Sequence, residues 1–148
     1  MSRFALDANI VLRLTDTSSP QYPKILKAIA SLKENNHELF LAPQVLMEFW
    51  SVATRPVDVN GFGWPIELVF SEIERLSELF PLLPETPAVF EEWLRIVTER
   101  KVVGKKVHDA RIAALLNIHG ITHILTFNSG DFKNYGVTAV SPDEILAR

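Results

Sequence analysis

The feature that most constrains the fold is a short apolar run near the N-terminus that ends in an acid. Residues 4–6 are too few for a helix, so they predict a buried central strand, with Asp7 at its carboxyl end. In an open α/β sheet, ligands bind at that edge of the strands. Asp7 has two possible roles at this point: it caps the helix that starts after it, or it is a functional carboxylate.

The size and composition are typical of a globular protein. The chain has 148 residues, of which 47% are hydrophobic and 22% are charged, and it is long enough to bury a substantial core. We therefore expect a single domain over residues 1–148. Cysteine is absent, which excludes disulfides and thiolate metal sites.

Charge and hydropathy narrow the possible partners. No apolar run approaches the roughly 18 residues that a membrane helix needs, and no export signal is recognisable, so we expect a cytoplasmic protein with no membrane partner. The net charge of −3 excludes a broadly basic nucleic-acid binder. Binding to nucleic acid would require a local basic patch or bound cations that offset phosphate repulsion.

Strands alternate with helices along the chain, which predicts a three-layer α/β/α sandwich with a mostly parallel central sheet. The predicted strands are residues 4–6, 39–42, 121–127 and 137–140, with a brief proline-bounded strand at 81–84 near an edge. The predicted helices are residues 10–14, 22–33, 43–54, 66–80, 87–100 and 108–119, followed by a terminal helix after the capping box at 141–144.

Local signals predict several details of packing and capping. Thr86 before Pro87 is expected to cap a helix, and Gly120 is expected to end one. Phe62 and Trp64, in the loop at 55–65, are expected to be packed anchors. The inner face of the helix at 66–80 is expected to consist of Leu68, Val69, Ile73, Leu76 and Leu79.

Four acids stand out by position. Asp7, Glu48 and Asp131 lie at strand-to-helix switches, and right-handed crossovers bring such positions to one edge of a parallel sheet. Asp109 heads a helix whose N-terminus must approach that edge. Each acid has a structural explanation of its own: a helix dipole for Asp109, solvent exposure for Glu48 and a turn for Asp131.

Taken together, the four carboxylates indicate a metal site. They would repel one another at one edge unless a cation lay among them. A carboxylate cluster without His or Cys selects Mg²⁺ or Mn²⁺. Such an ion can activate water for an in-line attack on a phosphoryl group.

A basic run lies next to these acids despite the acidic total. Residues 100–106 contain four Lys and Arg side chains, and Arg111 follows in the next helix. Lys105, Lys106 and Arg111 are therefore candidate ligands for the phosphates of a nucleic-acid strand. The alternative is an ordinary solvated loop.

Four motifs in this order resemble PIN-domain proteins, and they are most similar to the VapC-type toxins of bacterial toxin–antitoxin modules. The resemblance covers essentially the whole chain. The motifs are LDANIVL at 6–12, VLMEF at 45–49, HDARIAA at 108–114 and LTFNSGDF at 125–132.

The resemblance implies a PIN fold and a Mg²⁺- or Mn²⁺-dependent endoribonuclease. Asp7, Glu48 and Asp109 match the three core acids of the family. Asp131 is our choice for the fourth acid, although Asn128 stands where some members carry one.

Further roles follow from the same resemblance. Asn9 and Thr126 match polar residues that orient a carboxylate or a metal-bound water. The expected partners are an RNA substrate, a second copy in a homodimer, and a small antitoxin that inserts a helix and a basic side chain into the acidic cleft. We expect Asp7 and Asp109 to hold the main ion, with Glu48 and Asp131 completing its shell or carrying a second ion.

Other functions remain open from the sequence. An aspartyl-nucleophile phosphatase also begins with an acid after its first strand, but it needs a second acid two residues on, where this chain has Asn9. A PIN-like RNA- or protein-binding module without catalysis is a non-enzymatic alternative, which the intact acids disfavour. A role as co-repressor with an antitoxin would be compatible with nuclease activity.

Overall fold

Four short strands form one parallel sheet at the centre of the fold. In the computed structural model, which describes residues 1–148, they are β1 (Arg3–Leu6), β2 (Glu38–Phe40), β3 (His123–Leu125) and β4 (Thr138–Val140). The helices are α1 (Ala8–Thr15), α2 (Tyr22–Glu34), α3 (Pro43–Thr54), α4 (Ile66–Leu79), α5 (Pro87–Glu99), α6 (Lys106–Ile118) and α7 (Pro142–Leu146), with 3₁₀ turns at Val57–Val59 and Ser129–Phe132.

The order of the strands creates a switch point at the centre of the sheet. The spatial order is β2-β1-β3-β4, and every pairing is parallel. The chain leaves β1 towards β2 on one side, and it returns to place β3 and β4 on the other. Ligand crevices form outside the carboxyl ends of strands at such a reversal. The crevice expected here lies between the ends of β1 and β3.

Helices cover the sheet on both faces. Phe4, Ala5 and Leu6 are consecutive in β1, so their side chains alternate between the two faces, yet all three are buried. The helices form two packing groups: α1 contacts α2 and α3, while α5 packs mainly against α6. The predicted three-layer α/β/α sandwich with a parallel sheet is therefore confirmed.

Several predicted boundaries were wrong. The strand predicted at 121–127 is shorter and consists of β3 alone (His123–Leu125), because the chain turns after Thr126 towards the 3₁₀ turn. The brief strand predicted at 81–84 is a single parallel bridge between Leu41 and Leu82. The helix predicted at 108–119 begins two residues earlier, since α6 starts at Lys106.

The inner face predicted for α4 was too wide. Val69 and Leu76 are buried and Ile73 packs partly against the core, but Leu68 and Leu79 are 40% and 48% exposed. A helix that covers one side of a neighbour buries a narrower stripe than its apolar sequence suggests. The remaining apolar side chains of α4 face solvent.

Three local predictions can be compared with the structure directly. Ser141 forms the expected capping box with Glu144 at the start of α7. Phe62 and Trp64 pack against the core with ring centroids 4.8 Å apart. Thr86, however, does not cap α5 with its side chain; its hydroxyl is buried and has no hydrogen-bond partner.

The end of α6 follows the glycine prediction. The helix ends at Ile118, and Gly120 has a φ of +67°, a left-handed conformation that glycine adopts without steric cost. None of the seven helices is long and apolar enough to cross a membrane.

Candidate active site

Asp7 is the most buried and most constrained carboxylate of the site. It follows β1 directly and is only 7% exposed. Its Oδ1 accepts a hydrogen bond from the Ala8 backbone N–H (2.8 Å), so it does cap α1. Its Oδ2 accepts hydrogen bonds from the Thr126 hydroxyl (2.7 Å) and from Asn9 Nδ2 (3.3 Å). The helix cap and the constrained carboxylate are therefore compatible roles of one side chain.

The register of the central strands explains why Thr126 meets Asp7. Leu6 of β1 pairs with Leu125 of β3, so the next residue of each strand lies side by side at the crevice. Asn9 spans the same junction: its Oδ1 accepts the Phe127 N–H at 3.2 Å. The structure thus brings together Asp7, Asn9 and Thr126 from two strand ends.

Glu48 reaches the same edge from α3, where it is held by a residue that the sequence analysis missed. Gln44 lies one helical turn earlier and donates to Glu48 Oε1 at 3.1 Å and to the His108 carbonyl at 2.9 Å. The side-chain oxygen of Gln44, Oε1, accepts a hydrogen bond from Arg111 Nη1 at 2.8 Å. Gln44 therefore joins α3 to α6. Its i, i+4 spacing from Glu48 was the only signal in the sequence.

Asp109 lies in the first turn of α6, half-buried among the other acids. Burial raises its pKa to about 6, and the charges of Asp131, Asp7 and Glu48 contribute in the same direction. Burial also raises the pKa of Asp7, opposed by the hydrogen bonds from Thr126 and Ala8. Glu48 and Asp131 raise the pKa of Asp7 further. The four acids therefore lie close enough for their charges to interact.

These four carboxylates are not paired directly with cationic side chains of the protein. None of them forms a salt bridge, although six salt bridges occur elsewhere. No three His, Asp or Glu side chains form a complete metal-binding arrangement in the structure. Mg²⁺ usually binds through one or two carboxylates and keeps several waters, so it does not require such a cage. The donor set of carboxylate oxygens fits Mg²⁺ or Mn²⁺ chemistry.

The two candidates for the fourth acidic position differ in their surroundings. The carboxylate of Asp131, in the 3₁₀ turn after β3, raises the pKa of both Asp7 and Asp109. Asn128 is exposed, and its backbone N–H donates to the Thr126 hydroxyl at 3.0 Å. The Asp131 carboxylate therefore interacts with the other acids, whereas Asn128 contacts Thr126 through its backbone.

The candidate substrate-binding cations have different environments. Arg111 Nη2 forms a salt bridge to Glu85 at 2.9 Å, so its charge is already partnered. Lys105 is exposed just before α6. Lys106 lines a cavity of about 320 Å³ together with Lys133, which the sequence analysis did not select. Lys133 lies two residues after Asp131, and only the folded turn shows which way it faces.

Comparisons with known proteins agree with this arrangement. Residues 4–137 match the family model described as PIN domain. Ribonuclease VapC24 of Mycobacterium tuberculosis is 26% identical over 139 residues, which cover 92% of this chain and 93% of that protein. The whole edge described above lies within the matched residues.

Solved structures show the same fold at low identity. VapBC2 from Rickettsia felis, bound to a DNA fragment from its promoter, superimposes with a TM-score of 0.69 at 15% identity, covering 94% of this chain and 98% of that one. VapBC-1 from nontypeable Haemophilus influenzae gives a TM-score of 0.66 at 19% identity, covering 95% and 98%. FitAcB from Neisseria gonorrhoeae gives 0.65 at 17% identity, covering 94% and 97%.

Proposed function

Because this chain belongs to the PIN-domain family, we propose that it is a divalent-metal-dependent endoribonuclease and the toxin of a toxin–antitoxin module. The similarity to a protein named Ribonuclease VapC24 supports an RNA-cleaving hydrolase. The observation that carries the proposal is the carboxylate cluster of Asp7, Glu48, Asp109 and Asp131, whose charges interact and which form no salt bridge within the protein.

In this proposal Asp7 and Asp109 hold the ion, and Glu48 and Asp131 complete its shell or hold a second one. When bound, Mg²⁺ or Mn²⁺ supplies the positive charge that activates water and stabilises the phosphoryl group under attack. Because ion binding must displace protons from carboxylates with raised pKa values, affinity for the ion should fall as the pH drops below about 6.

The remaining polar residues position the carboxylates. Thr126 and Asn9 donate to Asp7 Oδ2 while the Ala8 N–H donates to Oδ1, which fixes the orientation of the carboxylate. Gln44 holds Glu48 from the same helix and fixes α3 against α6. Such outer hydrogen bonds commonly change metal affinity or activity about 10- to 100-fold when they are removed.

A small antitoxin is the proposed protein partner, as the similarity to VapBC structures supports. A groove of about 370 Å³ beside the acids is lined by apolar side chains of α3, α4 and Leu82. Met47, which is 68% exposed, lines both this groove and the cavity that contains Glu48. An amphipathic antitoxin helix in the groove would bring a basic side chain to the carboxylates. We also propose a homodimer, which sedimentation analysis would test.

The decisive experiment compares conservative variants of the acids. Asp7→Asn and Asp109→Asn should each reduce Mg²⁺-supported RNA cleavage at least about 100-fold, because each removes a negative oxygen from the ion's shell. Asp58→Asn is the matched control, since Asp58 is exposed in the distant 3₁₀ turn. Unchanged activity in both acid variants would reject the mechanism.

Titration calorimetry with Mn²⁺ separates the nuclease from a PIN-like module that only binds. The nuclease should bind Mn²⁺, and Asp109→Asn should weaken that binding while Asp58→Asn should not. A wild-type protein that binds RNA but neither Mn²⁺ nor Mg²⁺ would favour the non-catalytic module.

A further inference from the structure

A second pocket, of opposite charge, adjoins the acidic cluster. It measures about 320 Å³ and lies between the loop that precedes α6 and the turn that follows β3. We call it the basic pocket and define it by Arg100, Lys101, Lys106, Asp131, Lys133 and Tyr135, with apolar and backbone atoms completing its walls. Asp131 belongs to both this pocket and the acidic cluster, so the two sites are contiguous.

The cations of the basic pocket have no partners in the protein. Arg100, Lys101, Lys106 and Lys133 form none of the six salt bridges. Asp131 is the only carboxylate among the lining residues. Four unpaired cations around one acid, in a chain with a net charge of −3, attract an anion to this place.

Tyr135 adds a hydrogen-bond donor to the pocket. The residue is only 8% exposed, and its hydroxyl forms no hydrogen bond with the protein, whereas its backbone carbonyl accepts from Asn117 and its backbone N–H donates to the Phe132 carbonyl. Burial and the carboxylates of Asp109 and Asp131 raise the pKa of Tyr135, so the phenol keeps its proton. Thr86 Oγ1 is the only buried side-chain polar atom without a partner, so the Tyr135 hydroxyl is open to solvent and is free to donate a hydrogen bond to a ligand in the pocket.

Two residues that line the pocket have left-handed backbone conformations. Lys101 and Asn134 have φ values of +54° and +71°, in the left-handed region that side chains other than glycine seldom adopt. Both residues line the basic pocket, one on each wall. Lys101 follows the C-terminus of α5, where the Val102 N–H donates to the Val97 carbonyl, and asparagine tolerates the left-handed region, so these conformations shape the pocket walls at little cost.

We propose that the basic pocket binds a phosphate group of the RNA strand next to the one that is cleaved. The cations supply the charge and the Tyr135 hydroxyl donates a hydrogen bond to a phosphate oxygen. The Asp131 carboxylate faces the same space and would repel that phosphate. The phosphate is therefore restricted to the side of the pocket that the cations line. The identification of the anion as RNA rests on the proposed function, whereas the anion-binding chemistry rests on the pocket alone.

The test measures the affinity of a short fluorescent single-stranded RNA in EDTA, where no metal-dependent cleavage occurs. Lys101→Gln, Lys106→Gln and Lys133→Gln should each weaken binding, and each should reduce the slope of log K against log salt by about 1. Lys27→Gln is the matched control, because Lys27 is exposed on α2, forms no salt bridge and lines none of the cavities described here. Thermal melting confirms that each variant is folded.

Tyr135→Phe distinguishes a ligand contact from a structural role. It removes only the hydroxyl, so RNA binding should weaken roughly three- to tenfold while the salt slope stays unchanged. Comparing 5′-phosphorylated and 5′-hydroxyl forms of the same RNA identifies the phosphate. If Tyr135→Phe weakens the binding of both forms, the hydroxyl contacts an internal phosphate. If it weakens the binding of the phosphorylated form alone, the hydroxyl contacts the terminal phosphate.

Several results would overturn the proposal. The proposal is wrong if the pocket variants bind RNA as tightly as Lys27→Gln does. It is also wrong if they lose affinity for an acidic partner protein but keep their affinity for RNA. Failure of the proposed function looks different: the wild-type protein would then show no metal-dependent cleavage, whatever the pocket variants do in EDTA. Loss of Mg²⁺-supported cleavage in Asp109→Asn, with unchanged RNA affinity in the pocket variants, would reject the pocket alone.

Discussion

The hydroxyl of Thr126, at the end of β3, donates a 2.7 Å hydrogen bond to the carboxylate of Asp7, at the end of β1. Thr126 is fully buried, and its oxygen also accepts hydrogen bonds from Asn9 Nδ2 (3.1 Å) and from the Asn128 N–H (3.0 Å). One hydroxyl therefore connects two strand ends and the turn that carries Asp131. It therefore positions the carboxylate of Asp7.

Replacing this hydroxyl should separate positioning from packing. Thr126→Val keeps the shape but leaves Asp7, Asn9 and the Asn128 N–H short of a partner, which should destabilise the fold by about 1–3 kcal/mol. RNA cleavage should fall about 10- to 100-fold. Thr126→Ser retains the hydroxyl and should keep most of the activity. Equal activities in the two variants, measured beside their urea unfolding curves, would show that the hydroxyl does not act through Asp7.

The raised pKa of Asp109 predicts how stability changes with pH in metal-free protein. Its folded pKa of about 6 lies above the ordinary value of 3.8, so the folded state binds a proton more tightly than the unfolded state. The free energy of unfolding should therefore rise as the pH falls from 7 towards 4. Above pH 6, where Asp109 is ionised in the folded state, its buried charge destabilises the fold in full. Burial raises this pKa most, the charges of Asp131, Asp7 and Glu48 raise it further, and His108 lowers it.

Asp109→Asn tests this dependence by removing the charge. At pH 7.5, in EDTA, the variant should be more stable than the wild type by about 1 kcal/mol, a value that allows for solvent screening of a half-exposed group. That corresponds to a melting temperature roughly 2–4 °C higher. The difference should disappear near pH 4. Asp58→Asn serves as the control and should show no such trend; a wild-type advantage at pH 7.5 would contradict the prediction.

Gln44 should matter to catalysis although it bears no charge. Gln44→Ala removes the donor to Glu48 and the link to Arg111, so cleavage should fall about tenfold or more. Gln21→Ala is the control, because Gln21 precedes α2 without a side-chain cap hydrogen bond. If the role is positioning, the loss should appear mainly in kcat. A change confined to KM would instead assign Gln44 to substrate binding.

The unpartnered hydroxyl of Thr86 predicts a stabilising substitution. A buried hydroxyl without a hydrogen bond costs about 1–3 kcal/mol, and Thr86→Val replaces it with a methyl group of similar shape. The variant should melt at least about 2 °C higher than the wild type. Thr86→Ser keeps the unpaired hydroxyl and loses the methyl, so it should melt lower. Destabilisation by Thr86→Val would mean that the hydroxyl has a partner.

The sequence predicted the elements whose signals are local. Residues 4–6 could be assigned to a buried strand because a run of apolar residues without polar alternation is typical of a parallel strand covered on both faces. The capping box at Ser141 and the glycine at 120 were also correct, since capping depends on residues within one turn. Boundaries such as the start of α6 were wrong because tertiary packing extends a helix beyond its propensity signal.

The candidate acids, too, could be selected from the sequence, because parallel topology sends the residues after β1 and β3 to one edge of the sheet. The groups that surround these acids could not be predicted from the sequence. The hydrogen bond from Thr126 to Asp7 depends on the strand register. The link that Gln44 makes between Glu48 and α6 depends on helix packing. The position of Lys133 and Tyr135 opposite the loop before α6 depends on a turn. The sequence by itself determined which chemical groups reach the edge, since that depends on chain order. Only the tertiary structure decided which groups touch, because contacts between distant segments are set by register and packing.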